Sequence, residues 1–178
     1  MMTETEVTMK VEYGCCDMFP GHSFADLAYE NLKEAPGLAY TEEEIRFAKE
    51  LQATLDPSVL AKDEKVLEAA GAGMQAKVSP RELWKKIPLT ASSDCGDVSY
   101  MMPMCAVSTA CWPVGVAPHT WQATASTGSS LGEKGALYAA RVLAGIAYDL
   151  FTKPECLEKV KTEFKETSDG SYEPMYEE

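Results

Sequence analysis

Histidine is scarce in this 178-residue chain, which has two copies of it. Basic residues are outnumbered, with 16 Lys and Arg against 28 Asp and Glu and a formal charge of −12. That deficit repels phosphate backbones and anionic bilayer surfaces, and Lys85-Lys86 is the only basic doublet. Neither nucleic acid nor membrane is therefore an expected partner. Long apolar runs are missing too. None approaches the ~20 residues of a membrane span, and Lys134 and Arg141 interrupt the longest candidate. Without Cys-x-x-Cys or His-x-x-x-His spacing, a zinc finger has no ligands. Without Gly-x-Gly-x-x-Gly, a P-loop or Gly-x-Ser-x-Gly, nucleotide binding and an elbow-type serine nucleophile have no support. The opening Met1-Met2-Thr3-Glu4 carries acid and no apolar core, so no secretory leader is expected. The six cysteines then read as reduced thiols of a cytoplasmic protein, adjacent Cys15 and Cys16 being poorly placed to bridge each other.

What is present suits a globular chain. Hydrophobic residues make up 46%, and a chain of this length buries roughly 70% of its unfolded surface. Val7, Met9, Val11 and Tyr13 alternate with Glu6, Thr8, Lys10 and Glu12, which predicts a half-solvated strand over 6–13. Its neighbour must come from later in the chain, from another copy or from something missing. A helix is expected from Ser23, with Phe24, Leu27, Ala28 and Leu32 as its stripe and Pro36-Gly37 as its end. Thr41-Glu42-Glu43-Glu44 is a capping box opening a second helix. Residues 58–78 read as a loose surface excursion, and Ser79-Pro80 opens a short helix. Residues 104–112 are small and apolar without clean alternation, as in a strand covered on both faces. Ser130-Leu131-Gly132-Glu133 caps a helix running to about Phe151. Leu137, Ala140, Leu143, Ala144, Ala147 and Leu150 are its expected buried face. A last helix follows Pro154, and a polar tail starts at Ser168. The order of elements points to part of an α/β protein, since two strands make a poor sheet on their own.

Few residues advertise chemistry. His119 lies where the 104–112 strand gives way to a loop, a position where ligands and catalytic groups collect in α/β sheets. By position alone the loop histidine satisfied by a backbone carbonyl is the favoured reading, and His22 reads as a turn residue. Asp94 and Asp97 are spaced to share a helical face, as caps or as acceptors for a metal-bound histidine. Cys95 between them has no nearby base.

Three segments together carry a resemblance: Ser92-Ser93-Asp94-Cys95-Gly96-Asp97-Val98-Ser99-Tyr100, then Gly115-Val116-Ala117-Pro118-His119-Thr120-Trp121-Gln122, then Glu133-Lys134-Gly135-Ala136-Leu137-Tyr138. In order and spacing the chain resembles the C-terminal part of the metal-dependent amidohydrolases, in their aminobenzoyl-glutamate branch. The likeness runs from about Thr5 to Lys165 and is strongest over 90–152. It implies an α/β fold: a partial zinc-exopeptidase-like catalytic domain, a mixed sheet flanked by helices, preceded by one strand left from an inserted α+β domain. On that pattern residues 1–16 hold the terminal strand of the inserted, dimerisation-type domain. Residues 17–167 are the C-terminal part of the catalytic domain, and 168–178 the tail. His119 matches the family's final metal-ligating histidine, while Asp94, Asp97 and Trp121 fall in or beside the active-site loop.

The implied cofactor is a divalent metal, zinc or manganese, and the implied substrate a small N-acyl or aminobenzoyl amino acid. The family's other ligands and its glutamate base have no counterpart among these residues. The chain alone is therefore expected to hold no metal and, with no catalytic residue of its own, to be inactive. It is expected to work as a fragment, either with a missing N-terminal half or as a self-associating homo-oligomer.

Overall fold

A computed structural model of the protein describes residues 3–19, 21–62, 73–75, 77–84, 93–168 and 170–173. Eight helices occur among them: α1 (His22–Glu34), α2 (Glu42–Gln52), α3 (Pro57–Lys62), α4 (Arg81–Trp84), α5 (Cys95–Met101), α6 (Trp121–Thr127), α7 (Ser130–Thr152) and α8 (Pro154–Thr167).

The α/β expectation is overturned, because no strand is paired among the described residues. Residues 6–13 and 104–112 have no regular secondary structure and no ladder among the described residues. Residues 6–13 stand off the body, with Val7 90% exposed and Tyr13 75%. Residues 104–112 lie on helices instead of strands: Cys105 and Val107 pack onto the cluster of Ala28, Tyr138, Val142 and Ile146. Ala106 and Ser108 are exposed, so this segment is covered on one face and not on two. Helix packing takes the place the sheet was expected to fill.

The centre of the fold is α7, 23 residues long, against which α1 and α8 pack. Its buried residues are Leu131, Gly132, Gly135, Tyr138, Val142 and Ile146. Of the face expected to be buried, Leu150 packs on the cluster, while the rest is turned outward, with Leu137 62% exposed and Leu143 55%. This helix is apolar on both sides, so periodicity alone does not choose between them. Close approach chooses. A Cβ on Gly135 would meet the Ala110 carbonyl oxygen and the Cys111 sulfur at 2.6 Å, so the glycine face is the one that fits under the 104–112 segment. Tyr138 Oη then donates to the Leu32 carbonyl at 2.7 Å. Buried Asn31 donates to the Leu27 carbonyl and to Asp149 Oδ2, joining α1 to α7.

The capping box at Thr41 is formed in full. Other helix starts differ from expectation. Ser129, not Ser130, caps α7, and Ser130 bonds the Glu44 carboxyl. Helix α1 starts one residue before Ser23, at His22, and no side chain of its own caps it. Glu163 of α8 reaches across and accepts from the His22 and Ser23 amides at 3.1 and 2.6 Å. Nor is 58–78 simply a surface excursion. Met74 is buried with Ala48 and Leu131 in a second cluster, and the Gly73 carbonyl accepts from Val114 N. The Lys85-Lys86 doublet, Ser92 and most of the tail beyond Ser168 lie outside the described residues.

Candidate functional site

The loop carrying His119 is built from both ends. On one side Pro113 is buried, and Val116 N closes a turn onto the Pro113 carbonyl at 3.1 Å. On the other side α6 is pinned by its inward face. Gln122 Nε2 donates to Thr54 Oγ1 at 3.1 Å, and the fully buried Ser126 donates to the Cys111 carbonyl at 2.9 Å. Thr120 caps α6, accepting from Ala123 N at 3.2 Å while donating to the Ala117 carbonyl at 2.8 Å. With both flanks fixed, His119 takes φ +62°, a left-handed conformation uncommon outside glycine and a recurrent mark of sites under functional constraint. His119 is exposed, and Trp121, first residue of α6, is 60% exposed beside it. The indole offers an apolar and π surface two residues from an imidazole able to ligate a metal.

The aspartates are hydrogen-bonded at the start of α5. Asp97 Oδ1 accepts from Cys16 N at 3.0 Å, and that backbone hydrogen bond holds its carboxyl below the usual range. Asp94 sits at the cap position of α5 without capping it; it accepts from Ser93 Oγ, which in turn accepts from Cys95 N. No hydrogen bond or ion pair joins either aspartate to His119 among the described residues.

The role of Asp97 belongs to a seam that pins residues 16–19 onto α5. Phe19 N donates to Ser99 Oγ at 2.7 Å, and Tyr100 Oη donates to Asp17 at 2.9 Å. The Phe19 ring meets Tyr100 and Phe164 edge-on. Gly96 is required there, because a Cβ would run into the Cys16 carbonyl oxygen. Burial first, and then the Asp97 carboxylate, push the Cys16 thiol up, which disfavours the nucleophilic thiolate.

A divalent metal held by protein alone needs about four donors, or three and a water. Among the described residues no group of three or more His, Cys, Asp or Glu could hold one. His22, the second histidine, sits at the start of α1 beside Glu163. The donor set described here does not fit a bound metal.

Sequence reasoning missed two features with charge. Glu44 and Lys134 form an ion pair of 2.6 Å, with Glu44 only 8% exposed. The capping box gave half of that pair, but nothing local announces a partner 90 residues on. The second feature is a cleft of about 310 Å³ beside residues 108–112, whose lining includes Leu32, Leu38, Lys77 and Tyr138. Lys77 makes no ion pair among the described residues.

Comparison with curated proteins finds a subunit of the p-aminobenzoyl-glutamate hydrolase of Escherichia coli (strain K12), 28% identical over 182 aligned positions. The alignment takes in 95% of this chain and 38% of that protein. The chain thus resembles the E. coli protein along nearly all its own length while spanning about 38% of the relative's. No family model matches the chain, and no solved structure matches it. No helix among the described residues is long and apolar enough to cross a membrane.

Proposed function

We propose that this chain is the His119-bearing portion of a cytoplasmic amidohydrolase whose complete form cleaves the amide bond of an N-acyl or aminobenzoyl amino acid. One observation carries the reading. The Pro118–Trp121 loop lies within the stretch similar to the E. coli hydrolase, and its flanks hold an exposed His119 in left-handed backbone. Strain of this kind persists where surrounding structure over-determines it, and here Pro113, Thr120, Gln122 and Ser126 do so. Asp94 and Asp97 have roles in positioning the chain around α5, and Trp121 offers a flat wall for an acyl or aromatic group.

The activity is not complete in this chain. Metal-assisted hydrolysis needs an ion held by several ligands and a proton acceptor, and His119 supplies one donor. The remaining donors and the base are to come from a missing N-terminal half resembling the part of the E. coli protein that this chain does not span, either joined to it in one protein or supplied as another polypeptide.

The test is amide hydrolysis with zinc or manganese added, against a panel of N-acyl and aminobenzoyl amino acids. The chain is assayed alone and mixed with that other part. The expected result is turnover in the mixture only, abolished by His119→Ala without loss of folding, since His119 is exposed. Turnover that survives His119→Ala removes the role given to this loop, and stoichiometric metal with turnover by the chain alone removes the incompleteness. A second reading, a non-catalytic protein that acts by self-association, is favoured by the unpartnered apolar residues of 6–13 and of the outer face of α7.

A further inference from the structure

Both flanks of the His119 loop are tied to the same helix end. Gln52, the last residue of α2, donates through Nε2 to the Val114 carbonyl at 2.9 Å, ahead of His119 in the chain. Thr54, just past that helix, accepts from Gln122 Nε2 at 3.1 Å, behind it. These bonds span 62 and 68 positions of sequence, so nothing local requires them.

Each tie is supported by a further contact. The Thr54 hydroxyl donates to the Leu51 carbonyl at 2.7 Å, one of the carbonyls a helix leaves without an intrahelical partner at its C-terminus. With its proton committed there, the hydroxyl offers a lone pair to Gln122. That glutamine is only 8% exposed, so loss of its acceptor would leave a buried donor unmatched, with the full cost of desolvation. On the other flank, the Gly73 carbonyl accepts from Val114 N at 2.9 Å and from Gln52 Nε2 at 3.4 Å. Val114 is thereby held through its N–H and its carbonyl alike. A Cβ on Gly115 would stand 3.0 Å from Leu60 and 3.3 Å from Leu55, so the start of the loop lies directly on the chain that leaves α2.

We propose that Gln52 and Thr54 are positioning residues for His119, holding Val114 and Gln122 so that the loop between them follows the course that puts His119 at φ +62°. The inference deepens the hydrolase reading and rests on it for the importance of His119. Bonds within the loop do not suffice for this. Those from Thr120 to Ala117 and Ala123, and from Ser126 to Cys111, close the segment on itself and would survive if it shifted as a unit. The ties to Gln52 and Thr54 fix it to a separate helix. No hydrogen bond joins either residue to His119 among the described residues, so both act through the backbone that carries it. A displacement of about 1 Å in a reacting group can cost a hundredfold in rate, which is why sites are held by neighbours that are themselves locked.

The experiment is NMR of the full chain and of Gln52→Met with Thr54→Val, changes that keep side-chain size and remove the polar contacts. The left-handed backbone of His119 is read from its Cα and Cβ shifts. Loop opening is read from hydrogen exchange at the Val116 and Ala123 amides, which are bonded within the loop. The expected result is a His119 signature lost to averaging, with exchange at those amides faster by about fivefold for each bond removed. The amides of Val142 and Ile146 in α7 should keep their protection, and Thr54→Ser, which retains the hydroxyl, should behave as wild type. An unchanged His119 signature in the double variant overturns the proposal. So does an equal loss of protection in α7, which would make the two residues general supports of the fold. In the mixture that turns over amides, the double variant is expected to lower kcat at least about tenfold with KM little changed, and a kcat equal to wild type overturns the proposal. A wild-type mixture without turnover defeats the hydrolase reading alone, because the NMR measurement still decides whether Gln52 and Thr54 set the loop.

Discussion

Glu44→Gln is the substitution with the most closely worked expectation. Burial pushes the Glu44 carboxyl up, but Lys134 at 2.6 Å, the Thr41 amide and the Ser130 hydroxyl outweigh it and hold the group at about 2, against an ordinary 4.5. A carboxyl held that far down contributes about 3 kcal/mol of folding free energy at neutral pH. Gln keeps an oxygen that can accept from Thr41 N, so the capping box survives in neutral form and the substitution isolates the charge. Lys134 keeps its bond to the Ala39 carbonyl and its place over the Tyr40 ring, and it is partly solvated. The expected loss at pH 7 is therefore about 2–3 kcal/mol, near the lower end for a broken buried pair. Because the folded group is held below its unfolded value, the contribution is present in full above about pH 4.5 and fades as pH falls toward 2. Urea unfolding of wild type and variant at pH 7, 4.5 and 3 should show the gap between them closing with acid. A gap below about 0.5 kcal/mol at pH 7, the range of an ordinary surface change, refutes the reasoning, as does one independent of pH.

Gly96→Ala places a methyl against the Cys16 carbonyl. It should cost about 1–3 kcal/mol by overpacking, or release residues 15–19 from α5, seen as lost protection of the Phe19 amide in hydrogen exchange. Thiol labelling at pH 7.5 should modify the exposed Cys95 quickly and Cys105 only on unfolding, because burial holds the Cys105 thiol up at about 11. Comparable rates for the two would contradict the packing of Cys105 on the α1–α7 cluster.

What the sequence disclosed follows the range of each signal. The Thr41 box is local, four residues that satisfy one another, and it is found as written. The strands expected over 6–13 and 104–112 are absent among the described residues, because pairing is a property of two segments and could not be read from either. The face of α7 illustrates the same limit. Leu137, Leu143 and Ala147 make as good a stripe as Leu131, Tyr138 and Val142, and the decision belongs to how closely Ala110 approaches Gly135. For the site, the Pro118–Trp121 motif could be found by eye, whereas the left-handed turn of His119 could not. Asp94 and Asp97 were legible as a helix start, but the attachment of Asp97 to Cys16 spans 81 residues and leaves no trace in spacing.

That long attachment orders the folding of the chain. Closing a loop of about 80 residues costs more chain entropy than closing any short turn, although the cost grows only with the logarithm of length, and contacts of such separation form slowly. The bonds from Cys16 and Phe19 to Asp97 and Ser99 are of this kind, whereas α7 and α8 adjoin through a single residue, Lys153. During synthesis residues 16–19 must wait unsatisfied until α5 has been made. Until then the Cys16 and Phe19 amides lack the partners that fix residues 16–19 in the folded chain.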